Sequence, residues 1–193
     1  MRALVCGVAL VVLAGCAGPT LDVGYPDAAS NRALLASVAP RKIAVPAVTD
    51  RRADQSRIGV EPIDGKPIGT ARPVSDIIRD AVVLELTKNG HEVVSEGGDA
   101  LVAVDVEEFW LDAVGRSATT QFVGRVAIAL LVADARTGDR LLTRRYVGIS
   151  RRTADAKSED AWRQVMDTAL ARTVHDVATD PEVARTVART PPR

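Results

Sequence analysis

Apolar and polar residues alternate along three stretches in the second half of the chain, which is the pattern of strands with one buried side. In the first, residues 101–112, valines at every second position share one side, and Asp105 and Glu107 share the other. The second stretch covers residues 122–133 and the third residues 140–150, joined by a polar turn. We therefore expect three long consecutive strands.

Two stretches have apolar residues at helical spacing. The clearer one follows Ser158, its expected cap, and keeps an apolar stripe as far as residue 177. The other follows Ser75, also an expected cap, and ends at Asn89-Gly90. The Asp180-Pro181 pair favours a short further helix after the last long one.

The region from residue 42 to residue 73 is less regular. Residues 42–48 predict an apolar strand, and the segment from Asp50 to Pro73 is punctuated by glycine and proline. Within this segment Asp64-Gly65 predicts a tight turn, with a hairpin that pairs residues 58–61 and 66–69. Long irregular segments are usually functional or disordered. The loop is therefore our leading candidate for a contact surface, and a mobile excursion without a partner is an equally acceptable interpretation.

This order of elements, with a further short strand over residues 91–94, predicts an α+β fold. We expect an antiparallel sheet of about four to five strands with two main helices packed on one face. A single domain is expected over residues 41–180. Residues 16–40 are expected to form a tether with a short helical piece around residues 30–38, and residues 181–193 a C-terminal tail.

The N-terminus has an apolar run of its own, residues 3–13, behind the single basic residue Arg2. The run is too short for a membrane-spanning helix, which needs about 20 residues. It has the length of the hydrophobic region of a signal peptide, which we expect over residues 1–15.

The run ends in a sequence that resembles the bacterial lipobox, where a diacylglycerol is attached to a cysteine sulfur and the chain is cut before that cysteine. The recognition residues would be Leu13, Ala14 and Gly15, and the lipid would be carried by Cys16. Ordinary cleavage after Ala17 and an uncleaved short anchor are the alternatives. Alanine rather than aspartate at position 17 resembles lipoproteins exported to the outer membrane.

Charge and cysteine content agree with this interpretation. The full chain has 25 basic and 25 acidic residues, and loss of the signal peptide removes only Arg2, which leaves a net charge of −1. Near-neutrality gives no electrostatic reason to expect nucleic acid as a partner. Cys6 would leave with the signal peptide, so the mature chain has one cysteine and no disulfide.

No catalytic motif is present: the chain lacks Gly-x-Ser-x-Gly, Gly-x-Gly-x-x-Gly and Walker sequences. His91 and His175 have no neighbouring histidine or cysteine, so we expect no metal site and no cofactor. Asp105 and Glu107 share a strand face, which is explained more simply by a solvated sheet surface than by acid–base catalysis.

Arginines are concentrated on the third long strand and at its end, at Arg140, Arg144, Arg145, Arg151 and Arg152. They could bind phosphate or carboxylate groups, or protect an exposed sheet edge from aggregation. Arg144 and Arg145 must point to opposite faces, which favours edge protection over one anion pocket.

Several features together resemble the YajG-type family of bacterial lipoproteins and, more loosely, other small α+β envelope lipoproteins. They are the lipobox, an Ile-Ala-Val strand before Asp50-Arg51-Arg52, Ile58-Gly59, Asn89-Gly90-His91-Glu92-Val93-Val94, and Thr137-Gly138-Asp139. The similarity covers about residues 10–178. It implies a periplasm-facing outer-membrane lipoprotein of unestablished role, with no catalytic residues to carry over.

We therefore expect a non-enzymatic, lipid-anchored module that binds membrane through Cys16 and contacts another envelope protein. The candidate contact surface comprises Asp50, Arg51, Arg52, Asp64, Gly65, Arg144 and Arg145. One alternative is an accessory lipoprotein of a lipid or lipopolysaccharide transport machine, which would need an apolar groove. A second is a cell-wall or lipid hydrolase, which would need a cleft with perturbed carboxylates.

Overall fold

A computed structural model of the protein describes residues 18–26, 33–115 and 119–192. The predicted signal peptide and Cys16 lie outside these residues. The strands are β1 (Thr20–Leu21), β2 (Lys42–Ala44), β3 (Thr49–Asp50), β4 (Gly59–Val60), β5 (Pro67–Thr70), β6 (Glu92–Val94), β7 (Ala100–Val114), β8 (Thr119–Asp134) and β9 (Arg140–Asp155). The helices are α1 (Val74–Lys88), α2 (Glu159–Thr179) and α3 (Pro181–Arg189), with a short 3₁₀ helix at Leu34–Ser37.

The three long strands predicted from alternation are confirmed as an antiparallel meander, β7–β8–β9. Val102, Val104 and Val106 are buried on one side of β7, as the pattern predicts. The pairing of β7 with β8 shifts register between Val106 and Glu108, where a bulge leaves Glu107 exposed.

The rest of the sheet differs from the prediction. The described residues form a nine-stranded mixed sheet rather than an antiparallel sheet of four to five strands. Strands β2, β3 and β4 all pair in parallel with β7, at successive positions along it. Strand β6 is parallel to β2, β5 is antiparallel to β4, and β1 is parallel to β5. Strands this short have no alternation that could indicate a partner, so only tertiary packing sets their direction.

The helices pack on one side of the long strands, as predicted, and α2 lies across β8 and β9. Two glycines on the inward side of these strands allow the helix to approach. A Cβ atom on Gly148 would lie 2.1 Å from the Ala169 carbonyl oxygen, and one on Gly124 would lie 2.8 Å from a methyl carbon of Val165. The core includes Phe122 and Trp162, whose ring centroids are 5.9 Å apart.

The predicted helix ends are partly confirmed. The Ser158 hydroxyl accepts a hydrogen bond of 3.3 Å from the Ala161 amide and caps α2. Asn89 and Gly90, which has φ of 88°, end α1. The prediction for Ser75 was wrong, because α1 begins at Val74 and has no side-chain cap. The helix expected after Asp180 is confirmed as α3, with Asp180 as its cap.

The two ends of the domain extend beyond the predicted boundaries. Residues 18–26 are packed rather than a loose tether, because β1 pairs with β5, and Leu21 and Val23 are buried. Leu35 in the 3₁₀ helix is also fully buried. At the other end, Val183 and Val187 of α3 enter the core. The buried apolar side chains in these two segments therefore extend the domain from about residue 18 to about residue 190. No helix in the described ranges is long and apolar enough to cross a membrane.

Candidate functional site

One side of the long meander is left uncovered. The helices lie on the other side, and no element of the described part of the chain covers this one. We call the outward-facing side chains of the meander the open face; they are Leu101, Ala103, Asp105, Glu107, Glu108, Trp110 and Asp112 of β7, Val123, Arg125, Ala127, Ala129 and Leu131 of β8, and Thr143, Arg145, Val147 and Ile149 of β9.

The middle strand, β8, is apolar on both sides. Between residues 122 and 133 its only charged residue is Arg125. On the outward side Ala127 is fully buried, and Ala129 and Leu131 are half-buried. A strand with one solvated face normally alternates apolar and polar residues, whereas a near-continuous apolar run is typical of strands covered on both faces. The composition of β8 is thus that of a strand with a covering layer on its open side.

An ion pair between the two outer strands crosses the outward side of β8 at its alanines. Arg145 of β9 reaches over Ala129 to Glu107 of β7, with 2.5 Å between Nε and Oε2. On the far side of β7, Arg51 Nε lies 2.6 Å from Asp105 Oδ2. The alanine in the middle strand leaves the room that the long side chain from the outer strand needs.

Arg125 and Trp110 form the second polar group of the open face. Arg125 bonds to Glu108 at 2.8 Å and also to Asp112, and the hydrogen bond to Glu108 raises the pKa of the guanidinium. The indole Nε1 of Trp110 donates to Asp112 at 2.7 Å, and the Arg57 guanidinium lies 5.8 Å from the ring centroid. The ring is therefore held in place while half-exposed.

Two shallow depressions lie beside these groups. One, of about 340 Å³, is lined by Arg51, Ala103, Asp105, Ala129, Arg140 and Thr143 among others. The other, of about 220 Å³, is lined by Arg52, Ala53, Asp54, Glu107, Glu108, Phe109 and Trp110. The ion-paired side chains are each between a third and two thirds exposed, and such pairs contribute about 0–1 kcal/mol to stability. The open face is thus a mosaic of compensated charges and apolar patches.

The three predicted contact residues at the start of the loop, Asp50, Arg51 and Arg52, do not form one surface. Arg51 points to the open face, but Asp50 and Arg52 are buried against each other with 2.7 Å between Oδ2 and Nη2. Arg52 also donates to the Arg57 carbonyl at 3.0 Å. These bonds shape the loop, so Asp50 and Arg52 have partners within the chain, and Arg52 lines the depression beside Trp110.

The predicted hairpin around Asp64-Gly65 is confirmed. The Ile58 amide donates a hydrogen bond of 2.7 Å to the Ile68 carbonyl oxygen, and the Glu61 amide donates one of 2.8 Å to the Lys66 carbonyl oxygen. Gly65 has φ of 68° at the turn, and Asp64 forms an exposed ion pair of 3.4 Å with Lys157. The segment is therefore part of the sheet, where it forms β4 and β5.

The adjacent arginines Arg144 and Arg145 of β9 point to opposite faces of the sheet, as strand alternation predicts. Arg145 lies on the open face, whereas Arg144 points to the helix side and bonds to Asp180 at 3.0 Å. Along the outer edge of β9, Arg172 from α2 donates to the Ile149 carbonyl. An arginine that satisfies an edge carbonyl in this way limits strand addition at that edge.

The remaining candidates for chemistry have structural partners. His91 is buried; its Nδ1 accepts from the Arg41 amide at 3.3 Å and its Nε2 lies 3.2 Å from the Leu35 carbonyl oxygen. Burial lowers the pKa of His91. Across the residues that the structure describes, no three histidine, cysteine or carboxylate side chains are grouped to hold a metal ion.

The core leaves little room for a lipid. The apolar space between the 3₁₀ helix, the three α-helices and the sheet has a volume of about 10 Å³ and is lined by Leu35, Leu86, Leu130, Val177 and their neighbours. A cavity of this kind needs about 10–15 Å³ to hold a single water molecule. An acyl chain does not fit there.

A family model described as "Uncharacterized lipoprotein" matches residues 38–187. The chain belongs to this family of bacterial lipoproteins. Membership implies a membrane-anchored protein of the cell envelope. The resemblance to the YajG-type family is thus supported at the level of a bacterial lipoprotein family, while the predicted lipobox at Cys16 lies outside the matched residues.

Several solved structures are similar to this chain. Protein XCC0632 from Xanthomonas campestris is 19% identical, with a TM-score of 0.60 over 86% of this chain and 94% of that chain. A protein from Caulobacter crescentus CB15, provisionally assigned as a lipoprotein, is 14% identical with a TM-score of 0.48, and covers 81% of this chain and 93% of that chain. A minor lipoprotein from Acinetobacter baumannii is 12% identical with a TM-score of 0.42, and the match covers 78% of this chain and 92% of that chain. No curated protein matches the lipoprotein.

Sequence reasoning missed most of the open face, including Trp110, Arg125 and Ala129. A signal was available, because the run from residue 122 to residue 133 is apolar at almost every position rather than at alternate ones. Of the predicted contact residues, Arg145 belongs to the open face, and Arg51 contacts it through the ion pair with Asp105.

Proposed function

We propose that this lipoprotein is anchored to the outer membrane by lipid on Cys16, faces the periplasm, and acts without catalysis by binding another envelope protein through its open face. The observation that carries the proposal is the apolar outward side of β8, where Ala129 and Leu131 stay partly exposed and are not covered by any described element.

The charge pattern favours a protein partner. Carboxylates and guanidinium groups alternate across the open face and compensate each other locally, at Arg145–Glu107 and Arg125–Glu108. Such a mosaic attracts neither polyanions nor polycations, but it can orient a partner with complementary charges. Trp110, held rigidly and half-exposed, is the type of residue that often dominates interface energy.

Lipid anchoring would serve the same function. A protein confined to the membrane surface meets other envelope proteins at a raised effective concentration, so that a modest interface is sufficient. The lipobox, the single mature cysteine and Ala17 support this part of the proposal.

Two features argue for binding rather than the alternative functions. Asp105 and Glu107, the carboxylates that a hydrolase would use, each have an arginine partner within 2.6 Å. The small internal space, about 10 Å³, argues against a lipid carrier. A hydrolase would be revived if the wild-type lipoprotein degraded cell wall or lipid and lost this activity on Asp105→Asn or Glu107→Gln substitution.

Site-specific photo-crosslinking in intact cells tests the proposal. A photoreactive residue is placed at Thr143, exposed on the open face, and in a matched variant at Asp176, exposed on α2. We expect one defined cross-linked protein from position 143 and none from position 176, and Trp110→Ala should reduce the yield at least about tenfold. Point probes are preferable to deleting residues 53–70, because that segment contains β4 and β5.

Cross-links from position 176 alone, or from neither position, would reject the open face as the binding surface. A yield that Trp110→Ala leaves unchanged would remove the indole from the interface.

A further inference from the structure

The chain is packed against the sheet from Gly18 onward, only two residues after the predicted lipid site. A Cβ atom on Gly18 would lie 1.9 Å from the Pro67 carbonyl oxygen. The next residue, Pro19, accepts a hydrogen bond of 2.9 Å from the Gly69 amide. The N-terminal segment is thus held closely along β5 from its first described residue.

This packing limits where the lipid can be. Two residues of fully extended chain reach at most about 7 Å, so Cys16 lies within that distance of Gly18 whatever its conformation. Gly18 is beside Pro67, the first residue of β5, which directly follows the hairpin turn. The attachment point is therefore next to the tip of the β4–β5 hairpin.

Two exposed apolar side chains occur at the same end of the domain. Ile63 in the hairpin turn is 52% exposed, and Val114 at the end of β7 is 58% exposed. They lie close together, because Pro62 and Ile63 line one depression of about 310 Å³ with Ala113 and Gly115, the neighbours of Val114. We call Pro62, Ile63 and Val114 the apolar tip.

We propose that the apolar tip rests in the headgroup region of the membrane that holds the lipid, so that the lipoprotein stands on this end. The inference rests on the lipidation of Cys16 proposed above. It commits to a lipid surface as the occupant because the tether is too short to hold this end away from the bilayer.

The contact is expected to depend on apolar side chains rather than on charge. In the hairpin turn, Glu61 and Asp64 offset Lys66, and Lys157 is paired with Asp64 at 3.4 Å. Since the basic groups described at this end are balanced by carboxylates, we expect anionic lipid to add little to the contact. Binding of an apolar surface at the acyl boundary scales with the apolar area that it buries there, and Ile63 and Val114 are the exposed apolar side chains at this end.

This orientation would expose the open face. Strands β7, β8 and β9 extend away from the apolar tip, and at about 3.3 Å per residue the 12 steps from Gln121 to Ala133 span about 40 Å. The open face would then stand roughly perpendicular to the bilayer, where a periplasmic or membrane-bound partner can reach it.

Fluorescence quenching by lipid tests the orientation. Single cysteines are introduced by Ile63→Cys, Val114→Cys and Leu141→Cys in the full lipidated chain, in which the Cys16 thiol is blocked by lipid. Leu141 is the matched control, because it is 45% exposed but lies at the start of β9, at the opposite end. Each protein is labelled with an environment-sensitive fluorophore and reconstituted into phosphatidylcholine vesicles that contain spin-labelled lipid.

We expect blue-shifted emission and at least about twofold stronger quenching at positions 63 and 114 than at position 141. Mass spectrometry of the same preparations reports the lipid on Cys16. Equal quenching at all three positions, or the strongest quenching at position 141, in a lipidated protein would overturn the orientation alone. An unmodified Cys16 would overturn the anchoring proposal and the orientation together.

Discussion

The hydroxyl of Tyr146 donates a hydrogen bond of 2.7 Å to the carboxylate of Asp180, which connects β9 to the beginning of α3. The other oxygen of Asp180 accepts from the Glu182 amide at 2.7 Å, and Arg144 lies 3.0 Å from the carboxylate. Burial disfavours the charge on Asp180, but the hydrogen bonds from Tyr146 and Glu182 outweigh it and lower the pKa of Asp180. Burial, with the Asp180 hydrogen bond, raises the pKa of Tyr146.

Tyr146→Phe should lower the free energy of unfolding at pH 7 by about 2 kcal/mol, because a hydrogen bond to a charged, largely buried carboxylate is lost. The pH dependence should change as well. Since the folded pKa of Tyr146 is raised above its unfolded value of 10.0, its contribution is fully present below pH 10 and is lost as the pH rises further. Urea denaturation at pH 7, 9 and 11 measures both effects.

The variant should lose less stability between pH 9 and pH 11 than the wild type does. An identical alkaline loss in the two proteins would show that the Tyr146 hydroxyl is not buried in this way.

His91→Gln should weaken the pH dependence on the acid side. Burial lowers the folded pKa of His91 below its unfolded value of 6.5. The stability it contributes is therefore fully present above pH 6.5 and is lost as the pH falls below that value, where the unfolded chain takes up a proton that the folded state resists. Thermal unfolding at pH 7.5 and 5.5 should show a smaller loss in the variant.

His175→Gln, on the half-exposed side of α2, is the control, and it should keep the wild-type loss because His91 remains. Equal losses in all three proteins would contradict a neutral, buried His91.

Gly148→Ala should destabilise the fold strongly, by about 3 kcal/mol, because the added methyl would overlap the Ala169 carbonyl and the Thr173 hydroxyl of α2. Gly69→Ala is the matched control, since a Cβ there meets nothing within 4 Å. It should change the free energy of unfolding by less than about 0.5 kcal/mol in urea denaturation. Similar effects of the two substitutions would mean that α2 is not seated directly on Gly148.

Gly18→Ala should detach the N-terminal segment from β5 without unfolding the domain. The readout is hydrogen exchange at the Gly69 and Ala71 amides, which donate to Pro19 and Leu21. Exchange at both should become at least about tenfold faster. Gly24→Ala, where a Cβ meets no atom within 4 Å, should leave both amides protected. Unchanged protection in the Gly18 variant would mean that the lipid-proximal segment is less closely packed than described.

The elements that could be predicted are those with a long local signal. The alternation around Val102, Val104 and Val106 was enough to identify β7 and its buried side. The helical stripe behind Ser158 identified α2 and its cap. In both cases the pattern repeats many times, so that the buried side of one element is determined without knowledge of its partner.

The candidate site could be predicted only in part. Arg51 and Arg52 are adjacent and chemically identical, yet Arg51 pairs with Asp105 of the open face and Arg52 is buried beside Asp50. No local pattern distinguishes them, because their positions are set by the pairing of β3 with β7. Trp110 and Arg125 were missed for the same reason, since they meet only when β7 and β8 pair.

The sequence by itself determined the long strands, the two main helices, the turn at Gly65 and the envelope lipoprotein character, because each of these depends on consecutive residues. The tertiary structure alone decided the parallel pairing of β2, β3 and β4, the packing of residues 18–26 and the open face of the sheet. Strands of two or three residues contain too few side chains to select a partner, so their place is set by the surfaces that the long elements leave uncovered.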